Sequence, residues 1–355
     1  MNFCSDNVTG MAPEILAALA AANEGTAMPY GADSITQRLE ARFTEVFEKE
    51  VHIFPVATGS AANALALSVL TPPYGSIYCH QDAHINVDEC GAPEFYAGGA
   101  KLVTMPGNLG KLVAAELDTS LKNGGIGVVH HVQPAAVSLT QATEAGTVYT
   151  VDEVTELARI AHSYNVPVHM DGARFANAIA SLGCTPAEVT WKAGVDVLSF
   201  GATKNGALAA EAVVFFNPEY AKTFHFRRKR GGHLFSKMRF LSAQLEAYLE
   251  GDRWLSYATH SNRMARQLAD GLAALPEVHL CYPVQANELF VKLPNAVIEG
   301  LYAEGFQFYR WESEDASTIR LVTAFNTSPE AVAAFLEAAR RQVERIALTA
   351  AIAGA

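Results

Sequence analysis

The sequence predicts an α/β fold, with a mainly parallel sheet in a large domain and a smaller α+β domain after it. Three observations carry this expectation. Short, near-continuous apolar runs alternate with helically spaced stretches as far as about residue 216, the pattern of strands covered on both faces. A strongly helical stretch over 236–275 then breaks the alternation, with Gly251 inside it. Beyond it, short strands gather around one helix and the chain closes on a terminal helix. The expected division is an N-terminal arm and large domain over 1–250 and a small domain over 251–355.

The elements follow in order. VHIFPVA (51–57) reads as a strand and TGSAANALALSVL as the helix after it. SIYCHQ (76–81), AKLVTMP (100–106) and GIGVVHHV (125–132) are further strand candidates. VDEVTELARIAHSYN (151–165) has apolar residues at helical spacing, and VPVHMD (166–171) follows as a strand. VDVLSFGATK (195–204) and AAEAVVFF (209–216) complete the series. In the last third, VHLCYPV, NELFVKL, FQFYRWE and STIRLVTAF read as short strands. SPEAVAAFLEAARRQVERI reads as the terminal helix, with Ser328 as its N-cap and Pro329 at its first position. There is no internal repeat, and only the alanine-rich tail is of low complexity.

Composition narrows the function classes. Of 355 residues, 50% are hydrophobic and 18% charged, enough to bury a sizeable core and unlike a disordered or disulfide-scaffold chain. Acidic residues outnumber basic ones by 37 to 26, for a formal charge of −11, which weighs against a general nucleic-acid surface. The five cysteines (Cys4, Cys79, Cys90, Cys184, Cys281) form no CxxC pair, against a disulfide framework or zinc ribbon. The start, MNFCSDNVTG, has no signal-peptide pattern, and no apolar run is long enough to span a membrane. The expectation is a soluble, reduced, cytoplasmic protein.

Three local features carry chemistry. In ATGSAANAL (57–65) a strand ends and a helix opens, so exposed N–H groups and the helix dipole favour a phosphate. An ordinary capped helix would look the same, and Gly59 lacks the companions of a dinucleotide or P-loop fingerprint. In VPVHMDGARFANA, Asp171 stands where a buried strand ends, at the sheet edge where α/β proteins bind ligands. A carboxylate there needs a cation or a protonated ligand nitrogen; Arg174 offers the alternative of a structural ion pair. Lys204 follows the next strand, among small residues, where desolvation would lower its pKa and make it a nucleophile towards carbonyls. A solvated loop lysine is the plainer alternative. A phosphate cradle, a buried Asp and a lysine in this order are what a pyridoxal-phosphate (PLP) enzyme needs, the Lys and Asp pairing being a general signature of that cofactor.

The chain resembles the L-threonine aldolases of the β-eliminating lyase group, which have the fold-type-I (aspartate aminotransferase-like) PLP architecture. The resemblance runs through CSDNVTGM, MPYGADSITQRLE, TGSAANALAL, HINVDECGAPEFYAGG, HMDGARFANA, LSFGATKNG and RLVTAFN, and covers nearly the whole chain in order. It implies that Thr58, Gly59 and Ser60 hold the phosphate and that His84 stacks on the pyridine ring near the substrate hydroxyl. It implies Asp171 at the ring nitrogen, Arg174 at the ring hydroxyl oxygen and Lys204 at the aldehyde carbon. Ser5 and Arg320 would grip the substrate carboxylate, with Tyr30 approaching from a neighbouring subunit. The implied activity is retro-aldol cleavage of L-threonine, L-allo-threonine and related β-hydroxy-α-amino acids such as phenylserine to glycine and an aldehyde. A homotetramer built from dimers is implied as well.

The sequence also departs from that family. Where many members carry Glu-Asn-Thr-His-Asn, this chain reads TQATEAGTVY, with Thr143 in place of the His. His130 and His131, at the end of the expected preceding strand, are the candidates to replace it, so the β-hydroxyl base is expected to be His84 or His131. ATKNG stands where Ser-Lys-Gly is commoner. CHQDAHINVDEC (79–90) collects possible metal ligands, but its spacing fits no standard zinc pattern and no metal is expected. FRRKRGG (226–232) is either a solvated basic face or a source of one arginine, Arg227 to Arg230, reaching a phosphate across a subunit interface. The competing readings are another PLP reaction, such as β-elimination or transamination, and a non-catalytic PLP-fold binding module.

Overall fold

Buried apolar residues, many of them β-branched or aromatic, run through the longer strands. The structure, a computed structural model, describes residues 1–311 and 317–353. Its strands in chain order begin with β1 (His52–Val56), β2 (Gly75–His80), β3 (Lys101–Met105), β4 (Gly107–Asn108) and β5 (Lys111–Leu112). Then come β6 (Gln133–Thr140), β7 (Val168–Gly172), β8 (Val197–Gly201) and β9 (Glu211–Phe215). The last are β10 (His279–Leu280), β11 (Glu288–Lys292), β12 (Tyr309–Arg310) and β13 (Thr318–Val322).

The large sheet is ordered β1-β9-β8-β7-β6-β2-β3. Only β9 runs against its neighbours, β8 and β1; the other pairings are parallel. The C-terminal ends of β1, β2, β6, β7 and β8 therefore share one edge. One face of the sheet is covered by the helix Gly59–Leu70, packed with Ile77, Val213 and Phe215. The other face carries an aromatic core in which Phe200 meets Phe43, Phe175, Tyr248 and Trp254.

The strand expected at 125–132 is a correction. The strand there is β6, at Gln133–Thr140, and 125–132 is a turn-rich approach to it. Gly125 and Gly127 have φ of +71° and +79°, and the N–H groups of Val128 and His131 close turns onto Gly125 and Val128. The VVHH run mimics a strand, but AAVSL is the run that is buried. His130 and His131 thus precede β6 at its N-terminal end, away from the edge where the other parallel strands finish.

A second sheet, ordered β10-β11-β13-β12, is antiparallel throughout. Gly251, at φ +59°, separates the helices Arg239–Leu249 and Arg253–Ala273. The second of these starts in the first core with Trp254 and Ala258 and ends in the second with Met264, Leu268 and Leu272. Phe3 from the N-terminal arm joins that second core, and Phe3 N–H bonds the Gln307 carbonyl at 2.7 Å. The helix Pro329–Ala353 is capped as expected, the Ser328 hydroxyl accepting from Ala331 N–H. Of the run FQFYRWE only Tyr309–Arg310 is strand, and Glu312 lies outside the described residues.

His169 stitches the centre of the large sheet, its two ring nitrogens 2.9 Å from the hydroxyls of Ser138 on β6 and Ser199 on β8. Burial pushes its pKa down to about 4, against the pull of Asp171. The unfolded chain binds a proton near pH 6.5 that the folded chain refuses until about pH 4. Stability from this group is complete above pH 6.5 and lost as pH falls towards 4, by on the order of 3 kcal/mol. Urea unfolding of His169→Asn should therefore lose less stability than the parent across that window. Equal losses would mean that His169 protonates without cost in the folded state.

Candidate active site

The edge where the parallel strands end collects the polar groups. Asp171 closes β7 in register with Thr140 of β6 and Ser199 of β8. Its carboxylate accepts from Asn63 Nδ2 at 2.7 Å and from the Ala173 N–H at 2.9 Å, both neutral donors. The same Asn63 nitrogen donates to Glu89 Oε1 at 2.9 Å, and that oxygen lies 2.9 Å from His84 Nδ1. A hydrogen-bonded line thus runs from Asp171 through Asn63 and Glu89 to His84. Burial raises the pKa of Glu89, and the bond to Glu89 raises that of His84, so the pair retains a proton readily.

Thr58 caps the helix Gly59–Leu70, its hydroxyl accepting from Ala61 N–H at 3.2 Å. The first-turn N–H groups have no acceptor within the helix, and a Cβ built at Gly59 would meet nothing within 4 Å. The backbone there is open to the cavity that Thr58, Gly59 and Ser60 line.

Lys204 follows β8 in the 3-10 turn Thr203–Asn205. Its pKa is lowered first by the Arg174 charge and then by desolvation, against Asp6, Asp171 and Glu288. Among the described residues its amine has no hydrogen-bond partner, so it is available to a carbonyl. Beside it Glu211 opens β9 opposite Gly201, and burial pushes its pKa up to about 7.

Arg174 does not pair with Asp171. Its guanidinium binds Asp6 of the N-terminal arm at 2.7 and 3.2 Å and reaches Glu288 of β11 at 3.4 Å. Glu288 Oε2 in turn accepts from Arg320 Nε and Nη2 at 2.9 and 2.7 Å, and Arg320 lies over Trp311. Burial alone would raise the Asp6 pKa; Arg174 and Lys204, with hydrogen bonds from Arg174 and Asn287, hold it below the ordinary value instead. The ion-pair alternative for Asp171 and Arg174 is thereby resolved: each has its own partner.

Two cavities meet here. One, of about 400 Å³, is lined by Thr58, Gly59, Ser60, Asp171 and Glu211. The other, of about 1050 Å³, is lined by Ser5, Asp82, Trp311 and Arg320 and by the β4–β5 ribbon. Asn7, His84, Glu144, Arg174 and Lys204 border both. The structure thus brings together Ser5, Thr58, Gly59, Ser60, His84, Asp171, Arg174, Lys204 and Arg320. It does not bring His130 or His131 there; both are exposed at the other end of β6. Tyr30 is half exposed, under Lys229 Nζ at 5.0 Å, and borders neither cavity. In the basic cluster Arg228 is buried, lying over Phe54 and donating to the Pro55 carbonyl, so the segment is not simply a solvated face. Within CHQDAHINVDEC, Cys79 is buried and Cys90 exposed; among the described residues no group of metal ligands is assembled.

Glu89 enters from the sequence only as a possible metal ligand, and Asp6, Asn63, Glu144, Glu211 and Glu288 do not enter at all. Glu211 and Glu288 had a visible signal, each being a lone carboxylate in an otherwise apolar strand run. The others find their partners far along the chain, where local pattern is silent.

Removing one member of a buried ion pair strands the other charge, typically at ~3–5 kcal/mol. Asp6→Asn should lower the free energy of unfolding measured in urea accordingly, by ~3–5 kcal/mol. A variant as stable as the parent would show that Glu288 alone suffices for Arg174.

The chain is 46% identical over 331 residues to a low specificity L-threonine aldolase of Pseudomonas aeruginosa, covering 93% of this chain and 94% of that protein. A threonine aldolase structure from Leishmania major superposes with a TM-score of 0.90 at 30% identity, covering 96% of this chain and 99% of the other. Serine palmitoyltransferase of Sphingomonas wittichii superposes with a TM-score of 0.72 at 16% identity, covering 98% and 88%, a likeness of fold alone. The architecture is the expected fold-type-I α/β one. Residues 2–296 match the beta-eliminating lyase family, and the chain belongs to that family.

Proposed function

We propose that this chain is a PLP-dependent aldehyde-lyase that cleaves L-threonine to glycine and acetaldehyde. The observation that carries the reading is one cavity bounded by Asp171, Lys204 and the open helix start at Gly59. The likeness to low specificity L-threonine aldolases supports the reaction. L-allo-threonine and phenylserine are proposed as further substrates.

The residues fit the cofactor. A buried carboxylate with only neutral donors, as at Asp171, suits a protonated ring nitrogen. The open N–H groups at Gly59 and Ser60, with Thr58, suit a phosphate. Arg174 would hold the ring hydroxyl oxygen, His84 the ring face and Lys204 the aldehyde carbon. When bound, PLP supplies an electron sink for bonds broken at the substrate Cα.

The remaining work falls to the protein. Glu288 takes the Nε hydrogen and one Nη2 hydrogen of Arg320, which leaves its other Nη hydrogens for the substrate carboxylate. The Ser5 hydroxyl, whose contact with Asp6 is long at 3.4 Å, lines the same cavity. Glu89 and Asn63 hold His84 and Asp171 in fixed relation. A homotetramer belongs to the same proposal, with Tyr30 and an arginine from 227–230 serving a neighbouring site. So does a cytoplasmic location.

The test is purified protein supplied with PLP and L-threonine, assayed for acetaldehyde and glycine. Formation of both supports the proposal; a bound cofactor spectrum without aldehyde would contradict it. Lys204→Ala should lose the visible absorption of the covalently held cofactor and essentially all turnover. Asp171→Asn should keep a bound cofactor yet lower kcat; an unchanged kcat would leave Asp171 a purely structural role.

A further inference from the structure

The base that takes the β-hydroxyl proton has no obvious owner in this chain. Thr143 is buried and its hydroxyl is engaged with Thr147 and the Leu109 carbonyl. His131 lies outside the site, and His84 shares its Nδ1 with Glu89. We infer that Glu144 is the group that accepts the β-hydroxyl proton of the substrate, a role that rests on the cleavage reaction proposed above.

The placement carries this. Glu144 follows β6 at the C-terminal edge of the sheet and is one of the few residues bordering both cavities, together with Lys204 and His84. A substrate whose amino group lies near Lys204 and whose carboxylate reaches towards Ser5 and Arg320 passes this junction. One carboxyl oxygen, Oε1, is fixed by the His84 N–H at 2.9 Å. The other, Oε2, is buried with no hydrogen-bond partner. A buried acceptor left unsatisfied costs about 1–3 kcal/mol, and a substrate hydroxyl would satisfy it.

The step balances. As the Cα–Cβ bond breaks, the hydroxyl oxygen becomes the aldehyde carbonyl and its proton passes to Oε2. The bonding pair stays with Cα, which takes a proton from solvent to complete glycine, and Glu144 returns its own proton to solvent. Burial pushes the Glu144 pKa up to about 7, against the bond from the His84 backbone N–H and the nearby Thr140 hydroxyl and with the Asp171 charge. A carboxylate poised there is a stronger base than an ordinary one. The charged and titratable groups around it are Cys79 from β2, His84, Tyr149, Asp171 from β7, Arg174 and Lys204.

Glu144→Gln is the informative variant, because its amide oxygen can still accept from His84 N–H. It should keep the fold, the cofactor spectrum and the exchange of the glycine α-hydrogen with deuterated solvent, a reaction that breaks no carbon–carbon bond. It should lose ~10²–10⁴ in kcat/KM for L-threonine. The parent's kcat/KM should climb as pH rises through about 7, and the variant should lack that limb. His131→Ala should behave as the parent. Turnover within threefold of the parent, or a limb that vanishes in His84→Asn and not in Glu144→Gln, would overturn the assignment. A parent that exchanges glycine but never releases aldehyde would overturn the cleavage reaction, and this role with it.

Discussion

Asp171 is a buried carboxylate, and Arg174, the cation that the sequence offered it, is committed elsewhere. Asp6 draws the guanidinium away with two hydrogen bonds, and Glu288 completes the pairing. Asp171 is left with an amide side chain and a backbone N–H, which satisfy its lone pairs without neutralising its charge. An anionic group so placed costs free energy until a cation arrives. The remaining parts of the site are arranged around that need: the free lysine, the open helix start and the line through Asn63 and Glu89 to His84.

The ion-pair chain also ties the site to the whole molecule. Asp6 comes from the N-terminal arm, Arg174 from beyond the end of β7, and Glu288 and Arg320 from the second sheet. The two arginines and two carboxylates alternate, so each buried charge has an opposite neighbour. The larger cavity is bounded by residues from all of these regions, the smaller one by the arm and the segment after β7 without the second sheet. Closing the second sheet against the first is therefore a condition for the site rather than an accompaniment to it. The helix Arg253–Ala273, which serves both cores, is the rigid connection.

Much of this was legible in the sequence, for physical reasons. Strands buried on both faces leave an unmistakable apolar run, so β7 and β8 were readable and with them the positions of Asp171 and Lys204. The helix start at Gly59 was readable from its Thr-Gly-Ser turn. Two kinds of information were not. Glycine-rich turns containing VVHH imitate a strand, which misplaced β6 and carried His131 to the wrong end of it. The partnerships of Asn63 with Asp171, and of Asp6 with Arg174, span more than a hundred residues. They arise only when the helix Gly59–Leu70, β7 and the arm converge, so the sequence left Arg174 as a possible partner for Asp171. Glu144 stood next to the Thr143 that marked the departure from the family, yet only its place at the junction of two cavities gives it meaning.

The central claim is that Asp171 is placed to pair with a protonated ring nitrogen. Nitrogen-15 NMR of the protein reconstituted with PLP labelled at the ring nitrogen tests it directly. A pyridinium signal at neutral pH in the parent, replaced by a neutral pyridine signal in Asp171→Asn, is the predicted result. A neutral pyridine signal in the parent would contradict the claim, because Asp171 would then be buried for some other purpose.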